Sequence, residues 1–579
     1  MQKQIPFQIS SRTYDILVIG SGLAGLTAAF RAADAGASVL LCPSTRLCSG
    51  SSFYSHMDTL HCQCTIDKSD EEVFMEDIRN CSAHMNDAFL NRYYIRHIAS
   101  CIQYLNRMGI PFHKLPEPKL ACFASHPHDL YYWKDWKAIR HSMYQTIRQE
   151  KNIDLQEHTE LIHIILDASS AAPRIGGACF YHKDTRNYEF ISAKAVILAT
   201  GGFGALYKHN LNSPDVSGNG HALALKVGAS LINLEFNQFI PGFISPGYKI
   251  VFREGSLDYC EGLYDTQGNN VLQKQFSSVD EMKKCLRLRA AHGPFTTSDG
   301  SADFDFALLK ASLSSPDNGV LIRYHDEILK DGRSYIKDYI RWLKETFHID
   351  IVKDPITIAP FFHAANGGIL VDHDCQTSIA GLFACGECAG GIHGADRLGG
   401  NASGSCLVFG TLAAHSAARY CSNTDILSVT EQEIQRQMRS VCRAADTPAA
   451  SAAASRSPSA VIAEVRELMW THCNIVRTQN ELDEVLHRLC ALQSSYFPWE
   501  LLTADTDVAP ELIFQAENFL TLAQAIVSAM AERKESRGAH FRQDYPHQNR
   551  SFRKRIAVRI RHGSIETFDS PCRDNMPVL

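Results

Sequence analysis

The chain has 579 residues, 45% of them hydrophobic and 21% charged, with a formal net charge of −6. That length points to about three or four structural units, and the apolar fraction to an ordinary buried core. The mild acidity argues against a nucleic-acid partner, which needs a basic face. No apolar run reaches the ~18 residues of a membrane span, and the N-terminus lacks the apolar stretch and cleavage site of a secretion signal. Nineteen irregularly spaced cysteines fit a reducing cytoplasm better than a disulfide scaffold.

The first clear element is YDILVIGSGLAGLTAAFRAADAGASVLLC. Residues 14–19 read as a buried parallel strand. Gly20, Gly22 and Gly25 then match G-x-G-x-x-G around Leu23 and Ala24, an alanine-rich helix runs to about Ala35, and Ala37–Leu41 forms a second strand. In a βαβ unit these glycines allow a tight turn and a close backbone approach to a pyrophosphate at the helix N-terminus. A second buried strand ends in Thr200-Gly201-Gly202, and a third enters a glycine turn at Cys385-Gly386-Glu387-Cys388. A lone nicotinamide domain has no need of these later turns. A large flavin fold does, because it wraps an extended FAD with segments from distant parts of the chain.

Cys385 and Cys388 have metal-ligand spacing, but zinc needs two further ligands, and His373 and Cys375 are the only near candidates in sequence. No metal is expected, and the pair reads as small packing residues. Residues 431–460 read as a helix entering an Ala/Ser-rich linker, followed by segments of helical apolar spacing. The basic, alternating stretch RSFRKRIAVRIRH near the end reads as a solvated strand, or else as a docking surface for a partner or phosphate.

Taken together, GSSFY (Gly50–Tyr54), ATGGFG, GNGHALALKVGASLINLEFNQF, HAANGGI, GLFACGE, HGADRLGGN and RKESRGAHFRQDYP resemble the flavoprotein family of fumarate reductase, succinate dehydrogenase and L-aspartate oxidase over almost the whole chain. The resemblance implies an α/β fold. A Rossmann-like FAD-binding domain (1–236 and 356–430) would carry an inserted α+β capping domain (237–355), a helical C-terminal domain (431–546) and a basic tail (547–579). It implies FAD contacts from Gly20, Gly22, Leu23, Ala24, Gly25, Ser44, Ser51, Ser52, Thr200, Gly201, Asn219, Glu387, Asn401 and Ser403, with Glu387 expected near the FAD ribose. Ser51 stands where the respiratory members carry the histidine that bonds FAD covalently, so non-covalent FAD is expected. His56-Met57-Asp58 replaces the family's Gln-Gly-Gly, which would make the surface beside the flavin more polar.

The dicarboxylate enzymes use two histidines, a binding arginine and a proton-shuttling arginine. His363 and Arg397 match two of these. Ile240 stands for the other histidine, and Phe295 for the capping-domain arginine. Arg287, Arg289 and His292 lie just upstream of Phe295, and Arg253, beside the matching Glu254, is the expected source of the missing charge. A charged hydrogen bond is worth roughly 1.5–3 kcal/mol, so two losses weaken dicarboxylate binding by about two powers of ten. The expected activity is an FAD-dependent oxidoreductase acting on a C–C bond of a carboxylate. Apolar groups at Ile240 and Phe295 would suit a substrate with one carboxylate and an apolar part. L-aspartate oxidase, a sulfur-compound reductase flavosubunit and a non-catalytic electron-transfer subunit are the alternatives. No iron–sulfur or haem spacing appears in the chain. Electrons would therefore come from an iron–sulfur subunit, a quinone-linked complex, free reduced flavin or oxygen, with any contact to the inner face of a membrane made through a partner.

Overall fold

The computed structural model describes residues 4–56, 60–167, 173–442, 455–504 and 507–571. The linker expected after residue 442 and the expected polar residue Asp58 lie outside these. At the centre is a seven-stranded sheet. Strand β1 (Phe7–Ile19) lies between β2 (Val39–Cys42) and the strand Asn187–Leu198, parallel to both. Ile16, Leu17 and Val18 are fully buried, as expected for a parallel strand covered on both faces. The strand begins earlier than residue 14 because Phe7–Ile9 also pair with Tyr188–Phe190. Leu382–Ala384 adds a further parallel strand to the same neighbour. Three chain segments far apart in sequence thus end side by side at one edge of the sheet.

Helix α1 (Leu23–Asp34) follows β1 after three residues and is buried over most of its length. Its close neighbour is α2 (Asn401–Cys421). A Cβ on Gly410 would lie 2.7 Å from the Ala24 carbonyl oxygen, so this helix pair depends on a bare backbone at the crossing.

The inserted cap is a four-stranded antiparallel sheet. Its strands are β3 (Asn237–Ser245), β4 (Cys260–Tyr264), β5 (Val320–Tyr324) and β6 (Ile356–Ala365), in the order β3-β6-β5-β4. It has its own apolar core, which includes Phe243, Phe304 and Tyr339. Strands β3 and β6 pair with each other and carry the chain into and out of this sheet.

The C-terminal helices Pro458–His472, Gln479–Ser494 and α3 (Pro510–Glu532) pack on one another. Among the described residues α3 alone is long and apolar enough to cross a membrane, and 78% of its apolar window is buried within the fold. The basic stretch read as a solvated strand is buried only at Arg555–Val558, and its other residues are half-buried or exposed. Arg555–Arg561 forms a hairpin with Ser564–Ser570 and pairs Val558 and Ala557 with Leu231 and Ile232.

Behind the cap, Arg533 donates to Glu235 at 2.7 Å and to Glu535 at 3.0 Å, with all three side chains fully buried. Arg533→Met leaves Glu235 as an uncompensated buried charge. The expected loss of stability is roughly 3–5 kcal/mol, read as a lowered urea midpoint at unchanged slope.

Candidate active site

The groove begins where β1 ends. Gly20 has φ +104°, and a Cβ there would lie 2.4 Å from the Ala199 carbonyl oxygen. At Gly25 a Cβ would lie 1.9 Å from the Gly20 oxygen. Gly25 therefore seats α1 against the turn from behind and does not line the groove. Gly22 differs: nothing lies closer than 3.7 Å to its would-be Cβ, and the space in front of it is the groove. Gly20, Gly22, Leu23, Ala24, Ser44, Ser51, Ser52, Thr200, Gly201 and Asn219 all line this cavity of about 770 Å³. No side chain caps α1, so its first-turn N–H groups favour an anion. Asn219 bridges to Glu160 at 2.9 Å and to the Leu161 carbonyl at 2.7 Å, fixing the end of the groove near Ser44.

A second cavity of about 1350 Å³ opens between the flavin domain and the cap. It meets the groove at Ser51, Ser52, Glu387 and Cys406, which line both. Glu387, expected at the cofactor, lines the groove at its junction with the second cavity. Its carboxylate accepts from the backbone N–H groups of Gly202 (3.1 Å) and Ala365 (3.0 Å), tying the second glycine turn to the end of β6. Burial pushes its pKa up, opposed by these N–H groups and by Arg397. Cys385 and Cys388 are fully buried, and the Cys388 thiol lies 3.3 Å from the Thr200 hydroxyl. Among the described residues no group of three or more His, Cys, Asp or Glu side chains is arranged around a common metal position.

His363, Arg397 and Arg253 all line the second cavity. Arg397, in the turn before α2, is 8% exposed. Its Nη2 donates to Gln238 Oε1 at 2.9 Å, and its Nε has no partner although buried. An unpaired buried guanidinium donor costs free energy, which an anionic ligand removes. The carbonyl of His363 accepts from Asn212 at 3.0 Å. Burial, then Arg397 and Arg253, lower its imidazole pKa to about 3, so the ring is neutral at physiological pH and acts as a hydrogen-bonding group without charge.

Several expected residues sit elsewhere. Asn401 faces away from the groove and accepts from Tyr94 at 3.2 Å, while Ser403, two residues on, lines the cavity. Phe295 is fully buried against Phe306, so the apolar wall owes nothing to it. Ile240 does line the cavity, with Leu211, Val251 and Phe252. Arg289 is locked to Asp305 at 2.7 Å, His292 bonds the Pro294 carbonyl and Ser301, and Arg287 is exposed. None of these three replaces the missing arginine. Gln238, Glu254 and Cys122 were absent from the expected site. The first two lie inside motifs whose other members drew attention, and Cys122 lies in a stretch without a motif.

The groove fits an extended dinucleotide. It has a glycine turn that a Cβ at Gly22 would obstruct, an uncapped helix start, and a junction with a second cavity where a ring would meet a ligand. The family described as FAD binding domain matches residues 15–403, more than half of the chain, and that described as fumarate reductase flavoprotein C-term matches 462–569. The chain is 29% identical to an L-aspartate oxidase of Vibrio cholerae, over 92% of this chain and 96% of that one. It is 26% identical to the fumarate reductase flavoprotein subunit of Escherichia coli, over 92% and 88%. Among solved structures, Mycobacterium smegmatis Sdh1 in complex with UQ1 superposes with a TM-score of 0.78 at 26% identity, covering 97% of this chain and 94% of that one. FAD is the cofactor on which groove and relatives agree.

Burial lowers the pKa values of His163, His221 and His363 to about 3, whereas an unfolded histidine titrates near about 6.5. Below that value the unfolded chain binds more protons. Stability is therefore full above it and falls as pH drops toward 3, by about 1.4 kcal/mol per pH unit for each such group. Asp396, raised to about 8 by burial, acts in the opposite sense, as do Glu235 and Glu387, but the lowered histidines, which also include His61 and His209 at about 4, outnumber them. The urea midpoint is expected to fall clearly between about pH 7.5 and about pH 5.

Proposed function

This chain belongs to the flavoprotein family of fumarate reductase, succinate dehydrogenase and L-aspartate oxidase, and we propose that within it the protein reduces the C=C bond of an unsaturated monocarboxylate bearing an apolar or aromatic group. The single observation that carries this reading is the asymmetry of the pocket: Arg397 presents a buried, unpartnered Nε, while the wall holds Ile240, Leu211, Val251 and Phe252.

In this reading FAD is bound non-covalently, with Ser51 at the junction, and supplies the hydride chemistry. Arg397 takes the carboxylate, held in plane by Gln238. Neutral His363 donates a hydrogen bond to the same end of the substrate. Arg253, on the cap, adds positive charge that draws electron density toward the carboxylate as the double bond is reduced. The working units are a flavin domain, a cap that closes over it through β3 and β6, and a helical C-terminal domain. Relatives named as subunits of fumarate reductase favour an iron–sulfur partner as electron donor, with any membrane contact made through that partner. An L-aspartate oxidase is the second reading, favoured by the full-length match to the Vibrio cholerae enzyme.

The test is anaerobic. Dithionite-reduced holoprotein is mixed with cinnamate, fumarate or iminoaspartate precursors, and flavin reoxidation is followed at the visible band. Fast reoxidation by cinnamate and slow reoxidation by fumarate is the expected result. Fumarate turnover as fast as cinnamate turnover overturns the substrate assignment. Arg397→Met is expected to weaken 3-phenylpropanoate binding to the oxidised holoprotein by about 10–100-fold, the worth of one charged hydrogen bond. Ile240→His restores a polar group to the apolar wall, and the ratio of fumarate to cinnamate rates is expected to rise by about 10-fold or more.

A further inference from the structure

The reaction needs an acid as well as a carboxylate site, and the groups that line the cavity narrow the choice. His61 and His363 are neutral, their pKa values lowered by burial to about 4 and about 3, and His393 is pushed well below the ordinary range. A neutral imidazole is a poor acid. Arg397 is committed to Gln238 and to the carboxylate. Arg289, the buried cap arginine nearest in sequence to the missing one, is locked to Asp305.

On the cap-facing side of the cavity a thiol stands against a carboxylate. Cys122 Sγ donates to Glu254 Oε1 at 3.6 Å, and both residues line the cavity together with Arg397. The loop that carries this thiol is fixed from several directions. The Cys122 carbonyl accepts from Gly399 N–H at 3.0 Å, just past Arg397. A Cβ on Gly399 would lie 3.1 Å from the Cys122 nitrogen, a tight approach that a side chain would push apart by a few tenths of an ångström. Ser125 and His126 N–H groups donate to Asp77. Phe123 is held at φ +65°, a left-handed conformation that is unfavourable for a bulky side chain, and its ring stacks on His292 of the cap at 4.9 Å. Strain of this kind persists where surrounding contacts fix the backbone, and it clusters at functional sites. Burial keeps the proton on sulfur, raising its pKa to about 12. The second cavity thiol, Cys406, is packed beneath the junction near Gly386 and has no such carboxylate partner in its hydrogen bonding.

Resting on the substrate reading above, we propose that Cys122 is the catalytic acid: its Sγ–H protonates the substrate carbon that does not receive the hydride, with Glu254 as the relay that reprotonates the sulfur. The balance is simple. The electron pair arrives with the hydride on one carbon. The Sγ–H bond breaks and a C–H bond forms at the other carbon, and the thiolate left behind regains a proton from solvent by way of the Glu254 carboxyl group.

The experiment compares FAD-loaded wild type, Cys122→Ser and Cys122→Ala. Binding of 3-phenylpropanoate to the oxidised proteins is measured by calorimetry. Reoxidation of the dithionite-reduced proteins by cinnamate, and by fumarate in parallel, is measured in H2O and D2O. Expected are unchanged 3-phenylpropanoate affinity in both variants, a solvent isotope effect in the wild type, and reoxidation slowed by about 100-fold or more, the usual worth of a positioned acid. Serine matches the thiol's shape but not its acidity, so a packing role would be rescued by Cys122→Ser. Wild-type rates in either variant, rescue by serine alone, or a loss of rate matched by an equal loss of affinity each overturn the assignment of Cys122 while leaving the function standing. A wild type that neither acceptor reoxidises overturns both.

Discussion

The organising constraint is the buried guanidinium of Arg397. A charge taken out of water must be paired and hydrogen-bonded or it destabilises the fold. Here one donor is satisfied by Gln238 on β3, and the Nε is left without a protein partner. Arg397 lines a cavity that opens on the dinucleotide groove at Ser51, Ser52, Glu387 and Cys406. The residue that anchors Arg397, Gln238, belongs to the strand that carries the chain into the cap.

Around that group the architecture brings backbone, more than side chains, to one line. The turn after β1, the turn after Leu198 and the turn after Ala384 all lie at the same edge of one sheet. Glu387 fastens two of the converging segments by accepting N–H bonds from Gly202 and Ala365. Its carboxylate serves as scaffold for the junction, and this explains why an acidic residue is buried there with no cation in contact. Asp396, next to Arg397, holds the cap loop by accepting from Thr296 at 2.7 Å. Glu387 and Asp396 are thus spent on holding the walls of the site.

The sequence is most legible where function is carried by the backbone. Gly20, Gly22, Thr200 and Gly201 are found from spacing because a strand, a tight turn and a helix start require them in a fixed order. It is less legible where side-chain direction decides. Asn401 and Ser403 occupy one turn of α2, yet helical phase turns Asn401 toward Tyr94 and Ser403 toward the cavity. Phe295 stands at the position of a family arginine, but a loop that can no longer present a charge folds its aromatic ring into the core against Phe306. Gln238 and Cys122 were illegible for another reason. Each matters through a neighbour supplied by a distant segment, Arg397 in one case and Glu254 in the other, and no local pattern records such a pairing. The left-handed Phe123 belongs to the same class, since nothing in its own identity predicts φ +65°.

The electrostatics of the pocket then favour one carboxylate over two. Burial strips the charge from His61, His363 and His393, so the imidazoles contribute hydrogen bonds but no cation. What positive charge the cavity walls offer comes from Arg397 and Arg253, and Arg253 is followed in the chain by Glu254, whose carboxylate faces the same space. A carboxylate at Arg397 completes a donor that is otherwise unsatisfied. In the proposed reading a second carboxylate set against Ile240, Leu211 and Val251 loses hydration to apolar neighbours, a cost of several kcal/mol for a buried charge without a donor. An apolar group there loses no hydration and gains contact area, worth about 25 cal/mol per Å². In the proposed reading the same wall favours an apolar substituent, and the isoleucine that stands at position 240 for the histidine of the family pattern is the change in β3 on which that reading turns.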